Sequence, residues 1–538
     1  MSSKHERPVV GNIGKKVVKD ISKMGMPSRV HAVIAFIIIT AAIFIAYSGA
    51  LKAGFIYDDD HLIAHNALIK NLSNFPAYFR TDLFSDKVGE FVSNSYRPAQ
   101  TITNALDYML YALEPYGYHL TNILLHIFNA MLVFFFFRHI SDSDTLSLSA
   151  SLLYSIHPIN TQSIAYISGR GDILMSIGAM LSLIYFAKYK GGSYGFLVLS
   201  VFFYLFSMLS REASIVVVPA LLAGYALYFR KKEPAAFRVL LIYPVTAMIY
   251  LAVRNLVLKA HIAAIGLEYI PLFQRALTSI KGLFISLRIM ILPYDLHFDR
   301  FVPVERSLLA FSAIVPILGL SLMIWAVVHL YKKGLDGRHQ TEKIVSFGLF
   351  WYMVSMVPYL NIVPLQVFVS ENWLYEPSLG IIFAFIAVTG YYYGSGRAGR
   401  ANLLNVFILL LFLASLIAYG AVTVKRTADY TDPTKLYLKN LSYEPNVKFY
   451  YMLGTEYGLK GRYDLAISAF KDAIEIDKTL PNLFVFNARF NLGVTYAKLG
   501  RIEDAIKEFN FLLDLKNVPG EVNGQWNRKA ASAIKEIG

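Results

Sequence analysis

Long apolar runs separated by short basic loops make up most of the chain as far as residue 424. The first run, residues 30–49, is almost free of polar side chains and has the length of about 20 residues that a membrane-spanning helix needs. The pattern predicts eleven spans, several of them short: 30–49, 118–137, 144–164, 171–188, 194–209, 212–229, 236–256, 308–331, 344–362, 377–394 and 402–424. We therefore expect an all-α fold, a polytopic membrane helix bundle with amphipathic helices in its first outer loop.

One further segment, residues 269–292, is apolar enough to span but contains Arg275, Lys281 and Arg288. Counting it as a span would place the basic loop at 332–343 on the outer side. Lys and Arg collect in cytoplasmic loops, so we interpret this segment as an interfacial or re-entrant helix on the outer face. The N-terminus then lies in the cytoplasm, and the C-terminal tail lies outside.

Composition agrees with a membrane protein, because 56% of the residues are hydrophobic and 16% are charged, against about 25% charged in soluble domains. The net charge of +14 comes largely from the N-terminus and the interhelical loops, and we interpret it as a topology signal. It does not indicate a nucleic-acid partner. The chain has no cysteine, which excludes disulfides and thiolate metal sites. The lysine-rich stretch before the first span is too long for a simple cleaved leader, so we expect a retained anchor.

The tail changes to amphipathic helices from about residue 427. Gly454 and Gly461 recur as Gly493 and Gly500 at the same offset, with large and small apolar residues between them. This resembles the tetratricopeptide repeat, in which small residues let two helices approach closely. We expect two repeats, capped by helices near 433–440 and 524–537. The domain either only packs against the membrane loops or also offers a concave docking surface for a polypeptide.

Three consecutive carboxylates, Asp58, Asp59 and Asp60, follow the first span directly. Like charges side by side are costly, so the cluster must be solvated, paired with cations or bound to a metal. A simple acidic surface loop is the alternative. The position favours an acidic catalytic centre at the outer membrane surface.

The second predicted span places His119, Asn122 and His126 on one helical face. Polar groups on one face of a spanning helix point into the bundle or into a wet cavity. For His126 we favour an interhelical hydrogen bond. His119 lies nearer the outer surface and is the better site candidate.

An arginine flanked by glycines, Arg170, lies at the outer end of the fourth span. A guanidinium suits phosphate, and flanking glycines would let an anion approach the backbone. The alternative is a structural pair between Arg170 and Asp172. Six further polar residues lie in outer turns, as ligands or as anchors: Arg97, His157, Asn160, Glu212, Glu371 and Asn372.

Several motifs then occur in one order along the chain: Tyr57-Asp58-Asp59 with Ile63 and Asn66, Tyr96-Arg97-Pro98, His119 with Asn122 and His126, His157-Pro158, Gly169-Arg170 with Asp172, Ser210-Arg211-Glu212, and Glu371-Asn372-Trp373-Leu374-Tyr375. This ordered set resembles the transmembrane and tetratricopeptide-repeat-containing protein O-mannosyltransferases of the GT-C glycosyltransferase superfamily. The resemblance covers most of residues 50–390 and the repeat tail. Three features depart from the family pattern: Asp60 as a third carboxylate, Arg211 where relatives often have lysine, and only two clear repeats.

The resemblance implies a membrane glycosyltransferase that moves a sugar from a polyprenyl-phosphate donor to a hydroxyl of a protein acceptor outside the cytoplasm. It divides the chain into a cytoplasmic basic tail at 1–29, a catalytic membrane domain at 30–426 with its first outer loop at 50–117, and a repeat domain at 427–538. The short repeat tail favours a bacterial cytoplasmic membrane. The repeats would dock the acceptor protein.

Roles follow for the site residues. Asp58 becomes the candidate general base in a single inverting displacement, and Asp59 would orient it or the acceptor. Arg170 and Arg211 would bind the donor phosphate, while substrate contacts would come from Arg97, His119, His157, Asn160, Glu212, Glu371 and Asn372. Asp58, Asp60, His119 and Glu371 also offer donors that suit a divalent cation, but their spacing is not diagnostic.

Other functions remain open for such a chain. A transporter or flippase for lipid-linked glycans should carry its polar residues near the membrane midplane, whereas these gather at one surface. A scaffold would need only the repeats. A glycan or lipid could also replace the protein acceptor.

Overall fold

The computed structural model describes residues 29–85, 95–230, 233–258, 267, 270–335, 339–394, 403–476, 483–514 and 522–537. The predicted cytoplasmic tail, except Arg29, and the loop residues Lys231, Lys232, Arg338, Arg397 and Arg400 lie outside this part. The described residues are nearly all helical, which confirms the all-α fold class. Their one sheet is a short antiparallel pair between β1 (Asp299–Arg300) and β2 (Val369–Ser370).

Sixteen α-helices belong to the membrane half of the described chain: α1 (Arg29–Tyr47), α2 (Phe75–Tyr78), α3 (Pro98–Tyr111), α4 (Pro115–Ser141), α5 (Asp144–Ser155), α6 (Thr161–Ala165), α7 (Arg170–Lys188), α8 (Tyr194–Ser210), α9 (Ser214–Phe229), α10 (Pro234–Arg238), α11 (Ile242–Leu258), α12 (Leu272–Ile291), α13 (Phe311–Gly334), α14 (Gln340–Met356), α15 (Pro377–Gly394) and α16 (Leu403–Asp429). Among the described residues, 6 helical segments are long and apolar enough to cross a membrane, and three shorter apolar helices accompany them. The chain is therefore a multi-pass membrane protein. The count of eleven spans stays a prediction.

The predicted span at 144–164 is not one continuous helix. Helix α5 ends at Ser155, a 3-10 turn covers Pro158–Asn160, and α6 follows as a separate short helix. Pro158 has no N–H to donate and disfavours helical backbone at the residue before it, which explains the break at His157. The break places a polar loop between α5 and α7.

Helix α12 occupies most of the ambiguous segment 269–292. Just before it, the N–H of Leu267 donates to the carbonyl of Leu365, and near its end the carbonyl of Met290 contacts the His157 ring at 2.8 Å. Both neighbours lie in the loops predicted to be outside the cytoplasm. These contacts support a helix lying across the outer face, although its membrane position stays a prediction.

Two glycines lie where helices α14 and α15 approach each other closely. A Cβ added at Gly348 of α14 would lie 2.4 Å from the carbonyl oxygen of Gly380 of α15, and the reverse distance is the same. Small residues at such crossings let two backbones approach, which substitutes for the hydrophobic driving force that lipid removes.

Six helices form the tail: α17 (Pro433–Tyr443), α18 (Val447–Leu459), α19 (Tyr463–Ile476), α20 (Leu483–Lys498), α21 (Ile502–Leu513) and α22 (Val522–Ile537). The pairs α18/α19 and α20/α21 are the two expected hairpins. In each pair a glycine faces a phenylalanine ring: a Cβ at Gly454 would lie 2.6 Å from Phe470, and one at Gly493 would lie 2.7 Å from Phe509. Helices α17 and α22 flank the pairs, as the predicted caps should. Helix α16 continues to Asp429, so the boundary proposed at 426/427 lies in its last turn.

The tail packs directly on the loops of the membrane half that are predicted to lie outside the cytoplasm. One buried apolar cluster combines Ile56, Tyr166 and Phe298 with Tyr437 and Phe449 of the tail. This contact brings helix α18 beside the acidic triplet.

Candidate active site

The three consecutive aspartates have three different environments. Asp58 is partly buried, Asp59 is fully buried, and Asp60 is exposed. Asp60 pairs with the imidazole of His65 at 3.0 Å. Only Asp58 combines access to a substrate with shielding from bulk water.

Asp59 ties the first loop to the turn before α7. Its Oδ1 accepts hydrogen bonds from the backbone N of Ser168 at 2.9 Å and the Ser168 hydroxyl at 2.5 Å, and its Oδ2 accepts one from the N of Ile56 at 3.1 Å. Burial raises the pKa of Asp59 to about 7, although these hydrogen bonds act in the opposite direction. The arrangement fits the predicted orienting role.

Asp58 follows a strained residue. Tyr57 has a φ of 50°, a left-handed conformation that costs a bulky residue of order 1–3 kcal/mol and is concentrated at functional sites. Burial raises the pKa of Asp58 above its usual value, while the cations Lys448 and Arg97 lower it in part. Tyr166 also faces this carboxylate.

Lys448, in the first turn of α18, reaches this loop from the tail. Its Nζ lies 2.8 Å from Oδ2 of Asp299 and 4.4 Å from the centroid of the Tyr57 ring. Asp299 is in turn held by the hydroxyl of Ser370, which donates to its Oδ1 at 2.9 Å. The acidic loop, the short sheet and the repeat domain therefore meet around one ammonium group.

Two partly exposed arginines form the basic side of the site. Arg97 donates from Nε to Glu212 at 3.0 Å, and Arg211 forms an ion pair with Asp172. Asn372 also donates to Asp172, at 3.2 Å. A guanidinium has five N–H donors, so each arginine keeps donors beyond its carboxylate partner. The structure brings Arg97, Arg211, Glu212 and Asn372 together, while their position at the outer surface stays a prediction.

Arg170 is fully buried, unlike the other two arginines. Its Nη2 is 2.5 Å from Asp107 and its Nε donates to Asn122 at 2.7 Å. Its ion-pair partner is therefore Asp107. The alternative of a structural Arg170–Asp172 pair is wrong, because Asp172 pairs with Arg211. Nη1 of Arg170 has no hydrogen-bond partner among the described residues.

We expected the two glycines beside Arg170 to let an anion approach the backbone. The structure shows that both are instead covered by other residues. A Cβ at Gly169 would lie 2.8 Å from the carbonyl oxygen of Gln162, and one at Gly171 would lie 2.8 Å from the side chain of Gln100. Both glycines are needed for close packing of the turn.

The histidines predicted as site residues are buried. His119 packs against the backbone of Ala53 and Gly54. The Nε2 of His157 contacts the Met290 carbonyl at 2.8 Å, and its Nδ1 accepts from the N of Ile159. His119 therefore contacts the start of the first loop, and His157 links the loop after α5 to the end of α12.

Two further predictions concern buried polar side chains. Asn160 donates to the carbonyl of Tyr154 at 2.8 Å. His126 lies between the Tyr375 hydroxyl, at 2.7 Å, and the Ser155 carbonyl, which confirms the interhelical hydrogen bond expected for it.

Glu371 is fully buried and acts as a clamp. It forms an ion pair with Arg426 at the end of α16 and accepts a hydrogen bond from the N of His297 at 2.5 Å. Burial raises the pKa of Glu371 to about 7. It faces these protein partners, so no exposed carboxylate is presented here to a substrate.

The four candidate metal ligands do not converge. Asp60 pairs with His65, His119 packs on Gly54, and Glu371 pairs with Arg426. Within the described ranges, no group of three or more His, Cys, Asp or Glu side chains is arranged to hold a metal ion.

Three residues at the site were not predicted from the sequence: Lys448, Asp299 and Tyr166. Lys448 looks like any charged residue on a repeat helix, and Asp299 lies in a loop without a motif. No local signal could have paired them with Asp58.

Comparisons with known proteins agree with this architecture. Residues 447–480 and 486–518 match the tetratricopeptide repeat family model, which confirms the two predicted repeats. Curated relatives are protein O-mannosyl-transferases, in keeping with the motif resemblance. The chain is 25% identical over 455 residues to Protein O-mannosyl-transferase F38B6.6 of Caenorhabditis elegans, which covers 82% of this chain and 62% of that protein. It is 23% identical over 525 residues to Protein O-mannosyl-transferase TMTC3 of Homo sapiens, with 90% and 55% covered.

A shorter match reaches higher identity. Protein O-mannosyl-transferase Tmtc1 of Drosophila melanogaster is 29% identical over 178 residues, which cover 33% of this chain and 21% of that protein. The resemblance seen in the motifs is thus confirmed by relatives from several animals. The chain spans between 55% and 62% of the length of the first two relatives.

Proposed function

We propose that the protein is a glycosyltransferase that moves a hexose, as its mannosyl-transferase relatives do, from a polyprenyl-phosphate donor to a hydroxyl of a protein acceptor. The observation that carries the proposal is the environment of Asp58, a partly buried carboxylate between a buried orienting aspartate and two cations. The site belongs to the loops predicted to lie outside the cytoplasm. The particular membrane, bacterial or other, is a separate prediction.

In the proposed reaction Asp58 accepts the proton of the acceptor hydroxyl. The acceptor oxygen forms a bond to the anomeric carbon as the bond between that carbon and the phosphate oxygen breaks. The polyprenyl phosphate leaves with the electron pair of the broken bond, and the anomeric configuration is inverted. A pKa raised above the ordinary value makes Asp58 a stronger base than a solvated aspartate.

Arg97 and Arg211 would stabilise the negative charge that develops on the leaving phosphate. Both are partly exposed, with 21% and 11% of the side chain accessible, whereas Arg170 is at 0%. We therefore propose that the phosphate meets Arg97 and Arg211, and that Arg170 holds α7 against α3 and α4 through Asp107 and Asn122. Guanidinium groups bind phosphate through paired N–H donors, which suits this task.

The repeat domain would bring the acceptor protein to the site. Residues of α17, α18 and α19 share an apolar cluster with the loops of the membrane half, whereas α20, α21 and α22 contribute to a separate cluster within the repeat domain. Stacked helix pairs commonly bind extended polypeptides. Transfer to a peptide rather than to a lipid or glycan is the outcome we expect.

The test uses purified full-length protein with mannose supplied either on a polyprenyl phosphate or on a nucleotide, and a peptide library as acceptor. Label should pass to peptide only from the polyprenyl-phosphate donor. Transfer from the nucleotide alone would contradict the donor assignment. Label that appears in lipid or glycan but not in peptide would contradict the acceptor assignment.

A further inference from the structure

Lys448 belongs to the repeat domain but is held inside the candidate active site. The side chain of Asn446 caps α18 by accepting a hydrogen bond from the backbone N of Lys448 at 2.9 Å. This bond fixes the backbone position of Lys448. Its side chain is 14% exposed, and its partner Asp299 is 10% exposed. The ammonium is therefore placed by backbone and carboxylate together.

The ion pair with Asp299 does not account for the whole arrangement. The same ammonium lies 4.4 Å from the Tyr57 ring centroid and 5.8 Å from that of Phe298. Cation–π contacts are strongest when desolvated, as here. Tyr57 is the strained residue before Asp58, so Lys448 bears on the backbone turn that presents the proposed base.

A buried ion pair is weak evidence for stability, because desolvating both charges offsets most of their attraction. A structural contact between two domains could be made by apolar residues, and the neighbouring cluster of Tyr166, Phe298 and Phe449 already makes one. Domain packing alone therefore does not explain why a lysine occupies position 448.

We propose that Lys448 is a positioning residue for the transfer reaction, through which the docked repeat domain completes the active site. The inference rests on the proposed function of Asp58. It implies that a chain whose repeat domain is displaced keeps its membrane fold but transfers poorly, so acceptor docking and catalysis are coupled through one contact.

The charges around Asp58 define what removal of the lysine should do. Asp58 is faced by the cations Lys448 and Arg97, by the imidazole of His61, by the phenols of Tyr57 and Tyr166, and by the carboxylate of Asp59. Lys448 is the charge that lowers the pKa of Asp58 most, and Asp299 lies on its far side. Loss of the ammonium should therefore raise the pKa of the base, so that ionised Asp58 appears only at higher pH.

The experiment compares Lys448→Met, Lys448→Arg and a matched control, Lys460→Met, in the full chain. Lys460 lies just after the same helix and pairs with Glu456 at 2.9 Å, but it is 46% exposed and away from the site. We expect Lys448→Met to lower kcat by about 10²-fold, the loss typical of a misplaced catalytic group, and to move the acidic limb of the pH profile upward. Lys448→Arg should restore most of the rate, and Lys460→Met should match the unmodified protein.

Hydrogen exchange provides a second measurement that does not depend on activity. Residues 50–60 should exchange faster in Lys448→Met than in Lys460→Met. If Lys448→Met kept the rate and the pH profile, or lost rate with an unmoved acidic limb, the positioning role would be refuted. Absence of transfer by the unmodified protein, with every polyprenyl-phosphate donor, would instead refute the proposed function.

Discussion

Asp59 and Ser168 join the two loops that build the site. The carboxylate accepts from the Ser168 N at 2.9 Å and from its hydroxyl at 2.5 Å, so the acidic loop is held against the turn that begins α7. This contact fixes the turn from which Asp58 projects. The two neighbouring carboxylates therefore differ in role: Asp59 holds the loop in place, and Asp58 remains accessible.

The Asp59 contact predicts a specific pH dependence of stability. Burial raises the pKa of Asp59 from 3.8 when unfolded to about 7 in the folded protein. The folded state then holds its proton more tightly, so this contribution to stability is complete below about pH 4 and is lost as the pH rises through 7. Asp59→Asn removes the contribution, and it also replaces an acceptor of the Ile56 N–H with a donor. The variant should melt lower than the unmodified protein at pH 5, and the difference should narrow by pH 8.

Thermal melts in detergent at pH 5, 6, 7 and 8 provide the measurement. Asp60→Asn, at an exposed position, is the control and should follow the unmodified protein at each pH. If the difference in melting temperature between Asp59→Asn and the unmodified protein were the same at every pH, buried Asp59 would already be ionised at pH 5, and the raised pKa would be contradicted.

The two accessible arginines should affect catalysis, whereas the buried one should affect folding. Arg97→Met should lower kcat by about 10²–10³-fold, as expected when a donor to developing charge is lost. Arg211→Lys should lower kcat less than Arg97→Met does, because it keeps the cation although it loses the paired N–H donors. Arg170→Met leaves Asp107 buried and unpaired, so we expect loss of folded protein.

Steady-state kinetics with the lipid-linked donor, together with the yield of monodisperse protein, separate these outcomes. Arg288→Met is the control, since Arg288 pairs with Asp295 at 2.8 Å away from Arg97 and Arg211. If Arg170→Met folded normally but lost activity, Arg170 would be a phosphate-binding residue, as the sequence analysis predicted.

Glu371 should behave as a structural residue. Glu371→Gln leaves Arg426 without its buried carboxylate, and breaking such a pair costs about 3–5 kcal/mol. The control Asp504→Asn breaks an exposed pair with Arg501 and should cost less than about 1 kcal/mol. Melting temperature and activity per folded molecule are the two readouts. Normal stability with a raised KM would identify Glu371 as a substrate ligand.

Two glycines of helix α18 form a matched pair for the repeat domain. A Cβ at Gly454 would lie 2.6 Å from Phe470, whereas one at Gly458 would meet nothing within 4 Å. Gly454→Ala should destabilise the hairpin by about 1–3 kcal/mol through overpacking. Gly458→Ala should be neutral or stabilising by up to about 1 kcal/mol, because alanine favours the helix. Limited proteolysis of the full chain would report both, and equal effects would refute the close packing of α18 on α19.

Sequence reasoning succeeded where function leaves a local pattern. Gly454 recurs as Gly493 in the second repeat, so the two hairpins could be assigned before the structure. Asp58 could be singled out because it follows an apolar run, and its role as the base stays a prediction. The polar face of α4 was also evident, and His126 makes the interhelical contact expected of it.

The predictions that failed share one physical cause. The role of each side chain depends on a contact with a residue that is distant in sequence. The alternative considered for Arg170 was a pair with Asp172, its neighbour in sequence, yet its carboxylate partner is Asp107 in α3. Nothing in the sequence around Lys448 distinguishes it from other charged residues, and its role depends on the packing of α18 against the loops of the membrane half. Pro158 is a residue that breaks helices, but the apolar residues around it led us to predict one continuous span at 144–164.

The most direct test of the account compares Asp58→Asn with Asp60→Asn in transfer from polyprenyl-phosphate mannose to peptide. Both changes neutralise one carboxylate of the same triplet, but only Asp58 faces Lys448 and Arg97. We predict that Asp58→Asn lowers kcat by about 10²–10⁴-fold, as loss of a general base does, with an unchanged melting temperature, while Asp60→Asn stays near the unmodified rate. A normal rate in Asp58→Asn would contradict the assignment of Asp58 as the base.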